Sequence, residues 1–336
     1  MRGLYGTLLL LRLRERDERM KSWLFALVAL VLMTGCQPVP PSDNSVAEDP
    51  AIVLPSGWRW ESYGGIEVGV PGSWEWGTAD SPWCLHQEDG PPAPYVGRPG
   101  VVPMIGCLAT DDGAPDPAYS IEKAGTFVWF SKSLGRSAKP VVVEWDRVTL
   151  TRAGVELRVQ APESMRDAIL DTVHTIAQGT NGCPLTHPIT DNPAWRPGSQ
   201  ARVESLTDVT AVSACKYGEG FLVSSVKLDA GAARNAVAEV VSAAGGGGPD
   251  SLRSCTKDSA YGDGAIVLEV VAKQGNTEVV MRYDGCDHHG FDDGHSVRTL
   301  THDAVKPFIA GPNRLATYSG DLDGILSEPA SKQGSV

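Results

Sequence analysis

The chain has seven cysteines, and their placement constrains its fold more than any other sequence feature. Cys36 follows an apolar run, Trp23–Met33, whereas the other six cysteines lie between residues 84 and 286. The run matches the hydrophobic region of a signal peptide in length and is too short to cross a bilayer comfortably. We therefore expect the chain to be exported to a compartment where six cysteines can pair as disulfides.

The residues before Cys36 indicate a lipid anchor. Met33, Thr34, Gly35 and Cys36 resemble the bacterial lipobox, with Met33 in place of the usual leucine. The resemblance implies cleavage before Cys36 and a diacylglyceryl group on its Sγ atom. Two acyl chains hold a protein stably on a bilayer, whereas one chain binds marginally. A buried apolar helix and an ordinary secretory signal are the alternative interpretations.

Residues 1–35 are accordingly interpreted as a lipoprotein signal peptide and are left out of the fold. Residues 1–19 are either an over-extended start or a long N-terminal region. Residues 36–55 carry the lipidated cysteine and a flexible tether rich in Pro, Ser and Asp. Removal of residues 1–35, which hold six basic and three acidic residues, changes the formal charge from −12 to −15. Such an acidic body argues against nucleic acid as a partner.

Alternating apolar residues predict an antiparallel sheet in a first domain, residues 56–178. Apolar runs on either side of Gly64-Gly65 predict a hairpin. Met165, Ile169, Val173 and Ile176 recur at helical spacing, which predicts a helix that closes the domain. Further strands are predicted at residues 127–130, 141–151 and 155–159.

A second domain of ββαββα order is predicted at residues 205–312, after a turn-rich boundary linker at 179–204. Strands are expected at 209–216 and 221–228, and at 266–273 and 277–283. Asp229 is placed to cap a helix over 232–244, and Thr301 to cap a short last helix that Pro307 ends. Residues 313–336 are expected to be a poorly ordered tail. The fold class is therefore α+β, with two small disulfide-stapled domains, each an antiparallel sheet packed with one or two helices.

With Cys36 lipidated, six cysteines remain for disulfides. Two lie in the first domain and four in or beside the second, so pairing within domains leaves three connectivities. Proximity along the chain favours three pairs: Cys84–Cys107, Cys183–Cys215 and Cys255–Cys286.

Sequence motifs for catalysis are missing from the chain. It has no GxSxG, HExxH, CxxC, P-loop or dinucleotide-binding pattern. Four of the seven histidines lie in residues 286–302, and this cluster is the one set that could bind a zinc-like ion. The alternative is a polar loop, with Gly290 and Gly294 in a flexible turn. The candidate metal ligands are His288, His289, Asp292, Asp293 and His295, with His302 nearby.

Tryptophan is concentrated in the first domain. Such residues fill a core, or they form exposed platforms for sugars and peptides, and the core is the favoured interpretation. The tryptophans concerned are Trp58, Trp60, Trp74, Trp76, Trp83, Trp129 and Trp145.

Two short stretches resemble known exported proteins. Residues 65–74, GIEVGVPGSW, resemble the opening of small actinobacterial lipoproteins, some of which have PsbP/Mog1-like α+β sandwiches. Ala214-Cys215-Lys216-Tyr217 is similar to uncharacterised domains of actinobacterial exported proteins. The resemblance implies an envelope lipoprotein and brings no catalytic residue.

The sequence therefore favours a lipid-anchored protein on the extracytoplasmic face of the cell membrane. Its first partner is the bilayer, through acylated Cys36. We expect a non-catalytic binding module for a protein, peptide or glycan, with no cofactor. The alternative is a metal-dependent hydrolase that uses the cluster at 286–302.

Overall fold

The computed structural model describes residues 52–80, 92–100, 121–133, 141–144, 146–198, 201–246, 264–284, 287–315 and 322–327. Over these residues the chain is α+β, with mostly antiparallel strands and few helices, as its sequence predicts. The predicted signal peptide and most of the predicted tether lie outside the described residues.

The elements have the following bounds. The strands are β1 (Trp58–Tyr63), β2 (Ile66–Pro71), β3 (Glu75–Thr78), β4 (Tyr95–Arg98), β5 (Phe127–Lys132), β6 (Val141–Glu144), β7 (Arg147–Arg152), β8 (Val155–Gln160), β9 (His174–Thr175), β10 (Ala211–Gly218), β11 (Phe221–Leu228), β12 (Ala265–Ala272), β13 (Gly275–Arg282), β14 (Gly290–Asp292) and β15 (Val297–Arg298). The helices are α1 (Ile121–Ala124), α2 (Glu163–Leu170), α3 (Ala230–Ser242), α4 (His302–Val305) and α5 (Leu322–Ser327).

The predicted hairpin around Gly64-Gly65 is confirmed, and it forms a three-stranded sheet in the order β1-β2-β9. Gly64 has φ +53°, a left-handed conformation that glycine adopts at little cost. A Cβ there would also lie 2.6 Å from Val155 Cγ2. The hairpin turn therefore packs closely on the neighbouring sheet.

The first six-stranded sheet has the order β3-β4-β5-β8-β7-β6. Two of its pairings, β3 with β4 and β4 with β5, are parallel, so the expectation of a purely antiparallel sheet is wrong here. The single strand predicted at 141–151 is instead the antiparallel pair β6 and β7. Asp146 lies in the turn between them, as suits a residue whose side chain favours turns.

The helix predicted from Met165 to Ile176 corresponds to α2, which begins at Glu163 and ends at Leu170, earlier than predicted. The Thr172 hydroxyl donates to Ile169 O at 2.6 Å, and it accepts from the Gly69 amide at 2.8 Å. Such side-chain bonds compete with the helical ladder, so the chain leaves the helix and joins β2 as β9. Val173 lies beyond the helix but is still buried, so the apolar spacing in the sequence extends past the end of the helix.

The second six-stranded sheet is antiparallel throughout, in the order β11-β10-β12-β13-β14-β15. Its two hairpins match the prediction, whereas β14 and β15 were not expected. Asp229 caps α3 as predicted, because its Oδ1 accepts from the amides of Gly231 and Ala232 at 3.0 and 2.9 Å. The buried face of α3 is Ala233, Ala236, Val237 and Val240.

Part of the expected tail is buried. Asn313 is fully buried, and its Nδ2 donates to the carbonyls of Ala214 and Phe308 at 3.0 and 3.1 Å. Leu322 and Ile325 of α5 pack into the core beside the second sheet. A buried amide and two apolar side chains hold these residues on the second sheet.

Packing and hydrogen bonds join the strands of the predicted first domain to those of the predicted second domain, and these two parts of the chain are called its halves below. The Gly64 amide donates to Leu222 O at 2.7 Å, and Phe221 lies edge-on to Tyr63 with ring centroids 5.3 Å apart. The segment 179–204, expected as a linker, contacts both halves: the Thr180 amide donates to Glu67, and Ser213 donates to Asn181 O. The described residues from Val53 onward form one compact unit.

Candidate functional site

A cleft of about 510 Å³ lies between the two six-stranded sheets, at the edge strand of each, β3 and β11. Trp76 on β3 and Arg98 on β4 line one side. Lys216 on β10 and Val223 on β11 line the other, and the segment after α4 closes a third side through residues 312–315. Its volume falls in the range of small-ligand sites, roughly 300–1,000 Å³.

A β-bulge in the β10–β11 hairpin shapes this cleft. Lys216 pairs with Ser224 and Tyr217 pairs with Leu222, which leaves Val223 as the extra residue on β11. A bulge leaves such a residue outside the ladder. The Val223 carbonyl accepts instead from Arg98 Nε at 2.9 Å. The bulge therefore ties the second sheet to the first at the bottom of the cleft.

Glu61, which is 2% exposed, holds the cleft's arginine in place. Its Oε2 accepts from Arg98 Nη2 at 2.7 Å, and Arg98 Nη2 also donates to Ser62 O at 3.1 Å. Its Oε1 accepts from Arg59 Nε at 2.6 Å and from Trp76 Nε1 at 2.7 Å. Three donors thus satisfy a buried carboxylate and fix the orientation of the Trp76 ring.

Lys216 is the half-buried cation of the cleft. Burial lowers the pKa of its amine, and the positive charge of Arg98 lowers that pKa further. No hydrogen bond or ion pair joins the Lys216 side-chain amine to another residue in the described part of the chain. The lysine is therefore held beside a like charge with no anion from the described protein to compensate it.

The rim of the cleft carries a third cation and one acid. Arg314 is exposed, and its Nη1 donates to Trp76 O at 2.7 Å. Glu219 is exposed as well, and its Oε2 lies 3.8 Å from Lys132 Nζ. Burial, and secondarily the Glu219 charge, raises the pKa of Tyr63, so its hydroxyl stays neutral in the wall of the cleft.

The structure places the candidate metal ligands His288, His289, Asp292, Asp293 and His295 in and around β14. Among the residues that the structure describes, no three histidines, cysteines, aspartates or glutamates are grouped as metal ligands. Asp292 is fully buried and accepts from Arg196 Nε and Nη2, both at 2.7 Å. The bidentate arginine occupies the oxygens that a metal would need.

Asp293, like Asp292, uses its carboxylate oxygens as hydrogen-bond acceptors that hold the loop after β14. Its Oδ2 accepts from the Val203 amide at 3.0 Å, and its Oδ1 accepts from the amides of His295 and Ser296 at 2.9 and 2.7 Å. Burial works to raise the pKa of Asp293, but these hydrogen bonds outweigh it and the net pKa is lowered. His295 is exposed beside it, whereas His289 is 2% exposed.

The glycines of this loop are constrained, not flexible as expected. Gly290 and Gly294 have φ of +128° and +83°. A Cβ on Gly294 would lie 2.2 Å from Pro197 O, and one on Gly290 would lie 2.2 Å from Arg298 O. Among the histidines, His288 has a left-handed backbone conformation with φ +56°, and His302 Nδ1 lies 2.8 Å from Asp303 Oδ1.

One predicted disulfide is present. Cys183 and Cys215 are bonded, fully buried, with Cα atoms 5.6 Å apart. The bond attaches the segment 179–204 to β10, immediately before Lys216. The other predicted positions, Cys36, Cys84, Cys107, Cys255 and Cys286, lie outside the described residues.

The described tryptophans of the first half are mainly core residues, as favoured. Trp74 and Trp129 are 5% and 8% exposed, and Trp58 and Trp76 pack beside the same cores. Trp60 lies edge-on to His174. Trp76 combines core packing with a place in the cleft wall. Trp83 and Trp145 lie outside the described residues.

No sequence motif indicates Arg98, and Lys216 lies only within the short resemblance at Ala214–Tyr217. For Lys216 a signal existed, because it is the one charged residue in the strand sequence from Val212 to Tyr217. For Arg98 none existed, since its partners Glu61 and Val223 are 37 and 125 residues away in the chain.

Comparison with known proteins gives no further guide to the site. No protein-family model, no curated protein and no solved structure matches the chain. Within the described residues, no helix has the length and apolar character needed to traverse a bilayer.

Proposed function

We propose that this chain is a lipid-anchored lipoprotein of the bacterial cell envelope, held on the extracytoplasmic face by acylated Cys36. The lipobox-like Met33-Thr34-Gly35-Cys36 after an apolar run supports the anchor. The tether, residues 37–55, would span roughly 25 Å as a coil, which lets the folded part stand clear of the bilayer. The resemblance to actinobacterial exported lipoproteins belongs to the same proposal.

We propose further that the folded part is a non-catalytic binding module for a protein, peptide or glycan. The observation that carries this proposal is the cleft of about 510 Å³ between the two sheets. Its walls combine the aromatic side chains of Tyr63 and Trp76 with the cations Lys216 and Arg98. Aromatic faces and a few fixed polar groups are what a ligand site of this size needs for contact and orientation.

The alternative, a metal-dependent hydrolase built on residues 286–302, has no observation in its favour. Asp292 is held by Arg196, and Asp293 is held by three backbone amides. Both carboxylates therefore already have structural partners, so we do not propose this activity.

The stapled framework is part of the proposal. Cys183–Cys215 accounts for one bond, and we propose Cys84–Cys107 and Cys255–Cys286 as the other two. Thiol titration of the exported protein, denatured without reductant, should find no free thiol. Four free thiols would leave Cys183–Cys215 as the sole bond.

The lipid anchor is tested by labelling cells with a palmitate analogue. We expect label on the wild-type protein and none on Cys36→Ser, and globomycin should block removal of residues 1–35. Cys183→Ser is the matched control, because it replaces a cysteine elsewhere in the chain and leaves Cys36 intact. Label retained by Cys36→Ser would contradict the anchor.

Binding at the cleft is tested by photo-crosslinking on intact cells. A photoreactive residue at Thr78, which lines the cleft, should give a discrete adduct. The same residue at Lys273 is the control, since it lies at the β12–β13 turn, at the opposite end of β10 from Lys216. Identical adducts from both positions, or none from Thr78, would contradict a cleft-based binding module.

A further inference from the structure

The cleft concentrates positive charge in a chain whose formal charge is −12. Lys216, Arg98 and Arg314 all line it, and Glu219 is the one acid among its lining residues in the described part of the chain. We propose that Lys216 and Arg98 together bind a carboxylate group of the ligand, while the aromatic wall holds the rest of it. This inference rests on the proposed function and specifies the chemistry of its ligand.

Lys216 is the first reason. A half-buried ammonium loses hydration and ordinarily gains an acidic partner in exchange. Here the surrounding residues supply none, because Glu219 is exposed and lies against Lys132. Burial and the neighbouring Arg98 both disfavour its charged form. The negative charge of an anion bound in the cleft would offset both effects, so the cleft favours an anionic ligand.

Arg98 is the second reason. It is nine-tenths buried, its Nε is used by Val223 O and its Nη2 by Glu61 and Ser62 O. Its Nη1 is also buried and donates no hydrogen bond to any residue that the structure describes. A buried donor without an acceptor is costly. The guanidinium is already fixed in orientation, so a ligand oxygen could use this donor at little entropic cost.

The size of the cleft indicates how large the ligand that bears the carboxylate must be. A carboxylate occupies a small part of about 510 Å³, so the group must belong to a larger ligand. Trp76 is held in orientation by Glu61 and stacked by Arg59, whose guanidinium carbon lies 4.1 Å from the ring centroid. A carboxylate has two oxygens for two separate donors, which matches one amine and one guanidinium nitrogen. A peptide terminus and an acidic sugar both provide such a group.

The test uses a pair of probes that differ only in charge. Hippurate carries an aromatic ring and a carboxylate, and hippuramide is its neutral analogue. Binding to the purified full chain is followed by the amide NMR signals of Gly77 and Gly218, both in the cleft lining. We expect hippurate to bind about tenfold or more tightly than hippuramide, as charge-assisted hydrogen bonds imply. Lys216→Met should abolish that preference and still fold, because it removes a charge and keeps an apolar chain.

Lys273→Met is the matched control, since Lys273 is 76% exposed and lies far from the cleft. It should retain the full preference for hippurate. Equal binding of both probes at the cleft would overturn the carboxylate inference and leave the binding module intact. Phenyl phosphate binding without hippurate binding would also overturn it, in favour of a phosphate site. Shift changes away from Gly77 and Gly218 would contradict the cleft as the location, whereas the crosslinking experiment judges the proposed function separately.

Discussion

Arg98→Met should destabilise the protein strongly, because Arg98 on β4 bonds both to β1, through Glu61 and Ser62, and to β11, through Val223. The substitution removes three hydrogen bonds, to Glu61, Ser62 O and Val223 O. Loss of one partner from a buried ion pair costs about 3–5 kcal/mol. Glu61 keeps two donors, Arg59 and Trp76, so its charge stays partly compensated. We therefore expect the lower end, a loss of about 3 kcal/mol in the free energy of unfolding.

Urea unfolding of the purified protein measures this loss, and a double-mutant cycle with Glu61→Gln isolates the pair. The coupling between Arg98 and Glu61 should account for at least half of the effect. Arg202→Met is the control, because the Arg202 side chain is 60% exposed, and it should change stability by less than about 0.5 kcal/mol. A loss below about 1 kcal/mol for Arg98→Met, or no coupling to Glu61, would refute the connection described here.

Three further predictions concern the second sheet and its loop. Burial and the facing Glu278 raise the pKa of Glu269, so its contribution to stability is full below the ordinary carboxyl pKa and is lost as pH rises through the folded-state pKa. Glu269→Gln should therefore raise the urea midpoint at pH 7 and flatten the pH dependence of that midpoint, and an unchanged pH profile would contradict this. Asp293→Ala should lower the free energy of unfolding by about 2–4 kcal/mol, because three backbone amides lose their acceptor. Asp293→Asn should lower it less, since one acceptor oxygen remains, and equal losses in urea unfolding would argue against this hydrogen-bonding role of Asp293. Gly294→Ala should lower the melting temperature, because the new Cβ would collide with Pro197 O. Gly198→Ala is the control and should leave the melting temperature unchanged, because the space around its Cβ is open. Equal melting temperatures for the two variants would contradict this steric effect.

Local patterns predicted those elements whose causes are local. The β10–β11 hairpin follows from two alternating runs around Glu219-Gly220, which have φ of +55° and +91° and make the tight turn. The Asp229 cap of α3 was readable because a cap needs one side chain and its own next residues. The end of α2 was not readable, because Thr172 bonds to Gly69, more than 100 residues away.

The candidate site shows the same division. The histidine and aspartate cluster drew attention because its residues are close in the sequence, yet Arg196 and the Val203 amide, remote in the chain, take up the carboxylates. No sequence motif predicted the cleft, because its lining comes from five strands, β1, β3, β4, β10 and β11, and from the segment after α4.

By itself the sequence determined the α+β class, the two main hairpins, the Cys183–Cys215 pair and the expectation of an exported, anchored chain. These follow from side-chain periodicity, turn residues and cysteine spacing, which act over short stretches. Tertiary structure alone decided that a bulge at Val223 would meet Arg98, and that Lys216 would be held beside it without an acidic partner in the described chain. The physical reason is that burial and charge compensation depend on which distant residues are brought together, and only folding sets those neighbours.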